Sequence, residues 1–210
     1  MKIVLYGDSI TDAGRVRDTD YQLASYGFGY PSFIAGALLN ENPNGYEIIN
    51  RGISGNRIVD LYARIKADVW NVQPDVLSIL IGINDIWHEI GSRNGVEIER
   101  FERVYRMLIE DTKTRLPNLK IILCEPFVLE GTATKEKYDD FLAVKQYAKV
   151  VKALAKEYGA YYLPLQESLD KAAEKYGADK YLADGVHPTV AGAKLIADKW
   201  LALFKKEIEK

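Results

Sequence analysis

Short runs of apolar residues alternate along the chain with longer segments in which apolar residues recur every three or four positions. The short runs are rich in Val and Ile and predict five β-strands, at residues 2–6, 46–50, 75–81, 120–124 and 160–163. The run at 75–81 is almost uninterruptedly apolar, which is typical of a strand buried on both faces of a sheet.

The longer segments predict helices, because their apolar residues form stripes at helical spacing. The stripes contain Ile58, Leu61, Tyr62, Ile65 and Val69; Phe101, Val104, Tyr105 and Leu108; Leu142, Val151, Leu154 and Tyr158; and, over about 189–208, Leu195, Ile196, Trp200 and Phe204. Asn56 is the predicted N-cap of the first helix. Strands that alternate with helices favour right-handed crossovers and an α/β fold, with a parallel sheet covered on both faces. No linker or repeat divides the chain, so one domain is expected over residues 1–210.

Two segments, residues 11–29 and 126–136, have no clear period. Each follows a predicted strand, at the end where open α/β sheets place their sites. They are interpreted either as plain surface loops or as lids or substrate walls.

Composition narrows the class of protein. Of the 210 residues, 48% are hydrophobic and 28% are charged, which is typical of a globular chain rather than a disordered one. The formal net charge of −2 provides no general attraction to nucleic acid or to a membrane surface, so neither partner is expected. Residues 1–6 lack the features of a signal peptide, and the single Cys124 forms no internal disulfide. A cytoplasmic location is therefore expected.

Unusual polar clusters follow three of the predicted strands and precede the last helix. They are Gly7-Asp8-Ser9-Ile10-Thr11, Gly52-Ile53-Ser54-Gly55-Asn56, Gly82-Ile83-Asn84-Asp85 and Asp184-Gly185-Val186-His187-Pro188. The carboxyl ends of neighbouring parallel strands lie side by side, so these clusters are expected to converge in one crevice.

The chemistry of the clusters indicates a nucleophilic serine and its base. Ser9 lies at a strand-to-helix turn, where a helix N-terminus favours developing negative charge. The chain has two histidines, and His187 follows Asp184 by three residues across a glycine turn. The carboxylate is thereby placed to orient the imidazole, which leaves the other ring nitrogen to accept the serine proton. His88 is interpreted as a helix-face or pocket-rim residue.

Acyl transfer also requires donors for the oxyanion. The Gly55 backbone N–H, the Asn84 side-chain amide and the Ser9 backbone N–H are the candidates. Trp87, Arg15 and Arg57 lie near the predicted site and are candidate substrate-binding residues. A solvated surface charge is the alternative role of the two arginines. Trp87 and the further aromatic candidates Tyr21, Tyr26 and Phe28 either line a pocket or pack in the core or a subunit interface.

The order Gly-Asp-Ser, Gly, Asn and Asp-x-x-His resembles the four sequence blocks of the SGNH, or GDSL-type, hydrolases from residue 3 to the last helix. The resemblance implies Ser9 as nucleophile, Gly55 and Asn84 as oxyanion donors, and Asp184 with His187 as the rest of a catalytic triad. Asp8 becomes a structural hydrogen-bonding partner. The implied fold is the flavodoxin-like three-layer α/β/α sandwich with a five-stranded parallel sheet.

The blocks look most like the intracellular acetylxylan-esterase-like branch of that family. This implies a small-molecule ester substrate, acetylated xylo-oligosaccharides, and a homo-oligomer. A lysophospholipase or thioesterase, with an apolar acyl groove built by 126–136, stays open as an alternative. So does a carbohydrate-binding protein without catalysis.

Other kinds of site find little support in the sequence. Asp8, Asp12 and His187 are the only suggestion of a metal site, and they lack a familiar ligand spacing. No nucleotide-binding glycine motif follows a strand, so no cofactor is expected. Cys124 ends a buried strand and is interpreted as a packing residue.

Overall fold

A parallel five-stranded sheet forms the centre of the molecule, seen in a computed structural model that describes residues 1–209. Its strands are β1 (Lys2–Gly7), β2 (Glu47–Gly52), β3 (Val76–Leu80), β4 (Lys120–Cys124) and β5 (Tyr161–Leu163). They lie side by side in the order β2-β1-β3-β4-β5. All five predicted strands are confirmed, with ends that differ by at most two residues.

The helices in residues 1–209 include every one that the apolar stripes predict. They are α1 (Ser9–Asp12), α2 (Tyr30–Glu41), α3 (Ile58–Ile65), α4 (Ile83–Ser92), α5 (Ile98–Arg115), α6 (Tyr138–Phe141), α7 (Val144–Tyr158), α8 (Gln166–Tyr176) and α9 (Val190–Glu207). The four predicted stripes correspond to α3, α5, α7 and α9. A π-helical turn extends α3 and carries Val69, the last member of its stripe.

Two helix starts differ from the prediction. The Asn56 side chain does not cap α3, because its Oδ1 accepts a hydrogen bond from Arg64 Nε at 2.7 Å. Arg57 occupies the cap position instead, and its backbone N–H donates to Asp60 Oδ2 at 2.8 Å. Leu142 lies between α6 and α7 rather than on the α7 stripe.

The helices form two layers because right-handed crossovers change face when the chain reverses direction across the sheet. The step from β1 to β2 runs one way, and the later steps through β3, β4 and β5 run the other way. Accordingly α2 packs with α9 on one face, and α5 packs with α3 and α7 on the other. The fold is therefore a three-layer α/β/α sandwich.

The carboxyl ends of the three strands nearest the reversal lie level with one another. Gly7 at the end of β1 pairs with Gly52 of β2 on one side and with Leu80 of β3 on the other. The loops after these strands therefore leave the sheet at the same edge, where doubly wound sheets hold their ligands.

Among residues 1–209, no helix combines the length and apolar character needed to cross a bilayer.

Candidate active site

Ser9 is the first residue of α1, two residues beyond the end of β1. The preceding residue, Asp8, caps this short helix, because its Oδ1 accepts a hydrogen bond from the Ile10 backbone N–H at 2.9 Å. The cap holds the chain in the sharp turn between strand and helix. As a result, the Ser9 side chain lies at the edge of the sheet.

Ser9, His187 and Asp184 form a continuous hydrogen-bonded series. Ser9 Oγ lies 2.9 Å from His187 Nε2, and His187 Nδ1 lies 2.7 Å from Asp184 Oδ2. The two contacts use the two different ring nitrogens, so one carboxylate orients the imidazole while the other side of the ring faces the hydroxyl. This arrangement suits transfer of the serine proton to Nε2.

The turn from 184 to 187 is held by its own carboxylate. Asp184 Oδ1 accepts the backbone N–H groups of Val186 and His187 at 2.9 and 2.8 Å. Burial by itself would raise the pKa of Asp184, but the hydrogen bonds from the His187 backbone and ring and from Val186 outweigh it and hold the pKa below its usual range. Asp184 therefore stays ionised beside His187 at neutral pH.

The segment 126–136 packs against this turn from behind. The Leu129 backbone N–H donates to the Gly185 carbonyl, and the Ala133 N–H donates to the Asp184 carbonyl, both at 2.9 Å. Thr134 Oγ1 in turn donates to the Leu129 carbonyl at 2.8 Å. The irregular segment thus supports the acid–histidine turn, a role that its sequence did not signal.

The predicted oxyanion donors lie on the loops that follow β1, β2 and β3. Gly55 has a φ of 80°, a backbone conformation that favours glycine. Among residues 1–209, neither the Gly55 nor the Ser9 backbone N–H donates to another protein group. Asn84 Nδ2 donates one hydrogen to the Asn56 carbonyl at 3.1 Å, which ties the second of these loops to the third and leaves its other hydrogen available.

Two fully buried carboxyl groups lie beneath these loops. Asp8 and Asp85 each accept one backbone N–H, while the other oxygen of each has no partner among the described residues. Burial raises the pKa of Asp8 to about 7. Burial likewise raises the pKa of Asp85 to about 8; a bond from the Ile58 N–H opposes the shift, and the neighbouring Asp8 charge adds to it. Asp85 belongs to a predicted motif, but the sequence suggested no role for it.

A cavity of about 320 Å³ opens beside Ser9 and His187. Its remaining lining is mostly small or apolar and comes from Ile10, Ala13, Gly14, Phe28, Gly29, Ser54 and Pro188. The segment 11–29 therefore contributes a wall of the cavity, whereas 126–136 does not line it. Of the wall residues from 11–29, Phe28 is the one that the sequence indicated as a candidate pocket-lining aromatic.

The predicted substrate-binding residues occupy different places. The Trp87 ring centre lies 5.9 Å from the His187 ring centre, and its indole also meets Phe141 edge to face. Arg15 is buried, and its Nε donates to the Gly52 carbonyl at 2.9 Å. Arg57 pairs with Asp60 at the start of α3.

Neither arginine is among the residues that line the cavity. Arg15 Nε is bound to a carbonyl and the Arg57 guanidinium to a carboxylate, and substrate binding by either arginine stays a prediction. Trp87 keeps its place beside the histidine, and its contact with substrate stays a prediction.

The other residues considered from the sequence are those of a possible metal site, together with Cys124 and His88. In the described part of the chain, no group of three or more His, Cys, Asp or Glu side chains is arranged to hold a metal ion. Asp12 instead accepts hydrogen bonds from Ser54 and Arg17. Cys124 is buried, and His88 lies on α4.

The chain also matches a known family of enzymes over most of its length. Residues 5–195 match the model of the GDSL-like lipase/acylhydrolase family. The chain belongs to this family. It is a carboxylic ester hydrolase, as the family and the similarity to curated esterases show.

Two curated relatives of this esterase are acetylxylan esterases. The one from Geobacillus stearothermophilus is 34% identical over 206 residues, which cover 95% of this chain and 92% of that protein. The one from Xylanibacter ruminicola is 25% identical over 98% of this chain, but the match covers 43% of that longer protein.

Solved structures agree with this grouping. A GDSL-lipase-like protein from Parabacteroides merdae superposes with a TM-score of 0.90 at 38% identity, covering 97% of this chain and 95% of that one. A variant of the Geobacillus acetylxylan esterase superposes with a TM-score of 0.88 at 34% identity, covering 99% and 95%. Structures of catalytic mutants of the Geobacillus enzyme are also similar to this chain. In these mutants a serine, an aspartate or a histidine is replaced by alanine.

Proposed function

We propose that the esterase removes acetyl groups from acetylated xylo-oligosaccharides, with Ser9 as nucleophile, His187 as base and Asp184 as the group that orients the base. The observation that carries the proposal is the series of two contacts, 2.9 Å from Ser9 Oγ to His187 Nε2 and 2.7 Å from His187 Nδ1 to Asp184 Oδ2. Similarity to two acetylxylan esterases supports the choice of acyl group and alcohol.

The first half-reaction forms the acyl-enzyme. Ser9 Oγ bonds to the ester carbonyl carbon while its proton moves to His187 Nε2. The carbonyl oxygen becomes an oxyanion, which the N–H groups of Ser9, Gly55 and Asn84 stabilise in the proposed mechanism. The bond from carbon to the alcohol oxygen then breaks, and His187 returns its proton to that oxygen.

The second half-reaction repeats these steps with water. His187 takes a proton from water as the water oxygen attacks the acyl carbon, and the same donors hold the second oxyanion. Collapse releases acetate and returns the proton to Ser9. Asp184 keeps its negative charge throughout, which stabilises each transient imidazolium.

The size of the cavity favours a substrate with a short acyl chain over one with a long acyl chain. Its volume of about 320 Å³ lies at the small end for ligand pockets and must also admit part of the alcohol. The lysophospholipase or thioesterase alternative requires an acyl groove from 126–136. That segment packs behind the Asp184 turn instead, so no observation favours this alternative.

The decisive experiment compares wild type with Ser9→Ala on nitrophenyl acetate, butyrate and octanoate. We expect the acetyl ester to react fastest in wild type and the variant to lose at least about 1000-fold in kcat, as for other serine nucleophiles. Ser92→Ala, which removes an exposed hydroxyl at the end of α4, is the matched control and should keep full activity.

Each departure from this result has a separate meaning. Undiminished turnover by Ser9→Ala would contradict the serine mechanism. Fastest turnover of octanoate would contradict acetyl specificity while leaving the mechanism intact. Acetate release from acetylated xylo-oligosaccharides then tests the alcohol. The cytoplasmic location and the homo-oligomer stay predictions.

A further inference from the structure

An exposed aromatic ring stands at the mouth of the Ser9 cavity. Phe28 lines this cavity together with Ser9 and His187, yet 77% of the residue is exposed to solvent. Ligand pockets are lined mostly by apolar and aromatic side chains, so an aromatic ring beside a reactive group is placed to contact the ligand. The proposed mechanism gives this ring no function.

Two contacts position Phe28 beside the cavity. The Phe28 backbone N–H donates to the Ala13 carbonyl at 2.9 Å. The ring edge packs against Gly14, where a Cβ atom would come within 2.4 Å of the Phe28 ring. Gly14 therefore leaves the space that the ring occupies at the cavity mouth.

Buried polar contacts anchor the loop that carries the ring. Asn50 Nδ2 donates to the carbonyls of Thr11 and Tyr26 at 2.7 and 3.0 Å. Arg51 forms a two-point ion pair with Asp20 at 2.7 and 2.8 Å. A loop tied to β2 at these points presents its exposed apolar surface in a fixed position, which lowers the entropic cost of binding.

The absence of charged side chains from the described cavity lining limits the kind of leaving group that can bind beside the Phe28 ring. Among the described residues that line the cavity, none is Asp, Glu, Lys or Arg. A phosphate-bearing leaving group, such as that of a lysophospholipid or of a coenzyme A thioester, needs cationic partners, which this lining lacks. The lining instead suits an uncharged alcohol with an apolar face, and a sugar ring presents such a face through its C–H groups.

We propose that Phe28 binds the alcohol portion of the ester, an uncharged sugar ring that packs against its aromatic face while the acetyl group reaches Ser9. Phe28 is then a specificity-determining residue for the leaving alcohol. This inference rests on the proposed function, since it assumes that Ser9 cleaves an ester in this cavity.

Two acetyl esters with different alcohols test the inference, because they share the acyl group and the chemistry. We expect Phe28→Ala to lower the ratio of kcat/KM for acetylated xylo-oligosaccharide over that for ethyl acetate by about 10-fold. Most of the change should appear in KM, since the contact exists in both ground and transition states. Phe28→Tyr keeps an aromatic face and should restore the ratio.

Leu23→Ala is the matched control. Leu23 belongs to the same loop and is 84% exposed, but it does not line the cavity. It should leave the ratio and both rates unchanged. Equal losses in Leu23→Ala and Phe28→Ala, accompanied by a lower mass in light scattering, would instead identify the loop as a contact between two copies of the chain and overturn the inference.

The remaining outcomes separate this inference from the proposed function. Normal turnover of both acetates by Phe28→Ala would overturn the inference and leave the proposed function standing. Turnover of neither acetate by wild type would overturn the proposed function and the inference with it.

Discussion

Gly131 packs directly against the turn at Gly185, so closely that a Cβ atom on Gly131 would lie 2.3 Å from the Gly185 backbone nitrogen. The contact joins the segment 126–136 to the turn that holds Asp184 and His187. Together with the hydrogen bonds from Leu129 and Ala133, it supports the turn that carries the acid–histidine pair. The position of the base therefore depends on a segment more than 50 residues earlier in the chain.

Gly131→Ala tests this dependence. The added methyl group must push the two backbones apart, which we expect to cost about 1–3 kcal/mol in the free energy of unfolding. A displacement of about 1 Å at His187 should lower kcat by about 100-fold. Thermal denaturation and the hydrolysis of nitrophenyl acetate measure the two effects.

Gly36→Ala is the control for Gly131→Ala. Gly36 is exposed in the middle of α2, and a Cβ atom there meets nothing within 4 Å. Alanine should raise helix stability by up to about 1 kcal/mol and leave kcat unchanged. Wild-type kcat in Gly131→Ala would show that the contact does not position the base.

Asp184→Asn tests the orientation of His187. The amide cannot stabilise the imidazolium, so we expect kcat to fall by about 10³- to 10⁴-fold. Asp198→Asn, at an exposed ion pair with Lys194 on α9, is the matched control and should retain wild-type kcat. A loss of less than about 10-fold in Asp184→Asn would contradict the proposed role.

Acid pH should reduce turnover, because a protonated His187 cannot accept the serine proton. Asp184 does not contribute to this loss, since its pKa lies below the ordinary value of 3.8. The stability contributed by this carboxylate is present above the unfolded pKa and disappears only as the pH falls through the lower folded pKa. At acid pH kcat should therefore fall, while the Asp184 contribution to stability stays constant as long as the pH is above the ordinary carboxyl pKa. A rate that does not fall at acid pH would contradict a histidine base.

Arg64→Lys tests the support of the oxyanion loop. The Arg64 guanidinium donates to the carbonyls of Gly7 and Arg51 at 3.0 and 2.9 Å and to Asn56 Oδ1 at 2.7 Å. It thus joins the ends of β1 and β2 to the loop that carries Gly55. A lysine ammonium lacks the planar fork needed for all three contacts.

We expect Arg64→Lys to lower kcat by about 10-fold with little change in KM, because an oxyanion donor acts in the transition state. Arg103→Lys, at an exposed position on α5, is the control and should match wild type. A rise in KM at constant kcat would show that Arg64 affects substrate binding instead of oxyanion stabilisation.

Asp85→Asn tests the buried carboxyl pair through the pH dependence of stability. The pKa of Asp85 is raised to about 8 in the folded protein, chiefly by burial, so the folded state binds its proton more tightly than the unfolded chain does. The resulting stability is fully present below the unfolded pKa of about 4 and is lost as the pH rises through the folded pKa. Wild type should therefore lose stability between about pH 5 and 8.

Asparagine cannot titrate, so the melting temperature of Asp85→Asn should depend less on pH over the same range. Asp198→Asn serves again as control, because its exposed carboxyl should leave the slope of melting temperature against pH as in wild type. An equal slope in Asp85→Asn and wild type would contradict the raised pKa.

Much of the fold was predictable from local sequence. The Val- and Ile-rich runs predict every strand within two residues, because a strand buried on both faces needs an apolar side chain at nearly every position. The apolar stripes did not predict α2, α4, α6 or α8. Helix α2 has no clean stripe of its own, and it packs on α9, which is distant in sequence.

Part of the candidate site was likewise predictable from the sequence, and part was not. Sequence alone identified Ser9, Asp184 and His187 as one chemical set, because few residue types perform this chemistry and the chain offers two histidines to choose from. Their order after successive strands also placed them at one edge of a parallel sheet. These conclusions depend on residue type and short spacing, which a sequence displays directly.

Only the tertiary structure showed the contacts of Arg15, Arg57 and Gly131 and the exposure of Phe28 beside the cavity. Arg15 meets a carbonyl 37 residues away, and Gly131 meets a backbone that returns only with the turn before α9. An exposed ring, a buried arginine and a close glycine contact have no characteristic spacing along the chain. Their roles follow from which surfaces the folded chain brings together, and that depends on packing across the whole sheet.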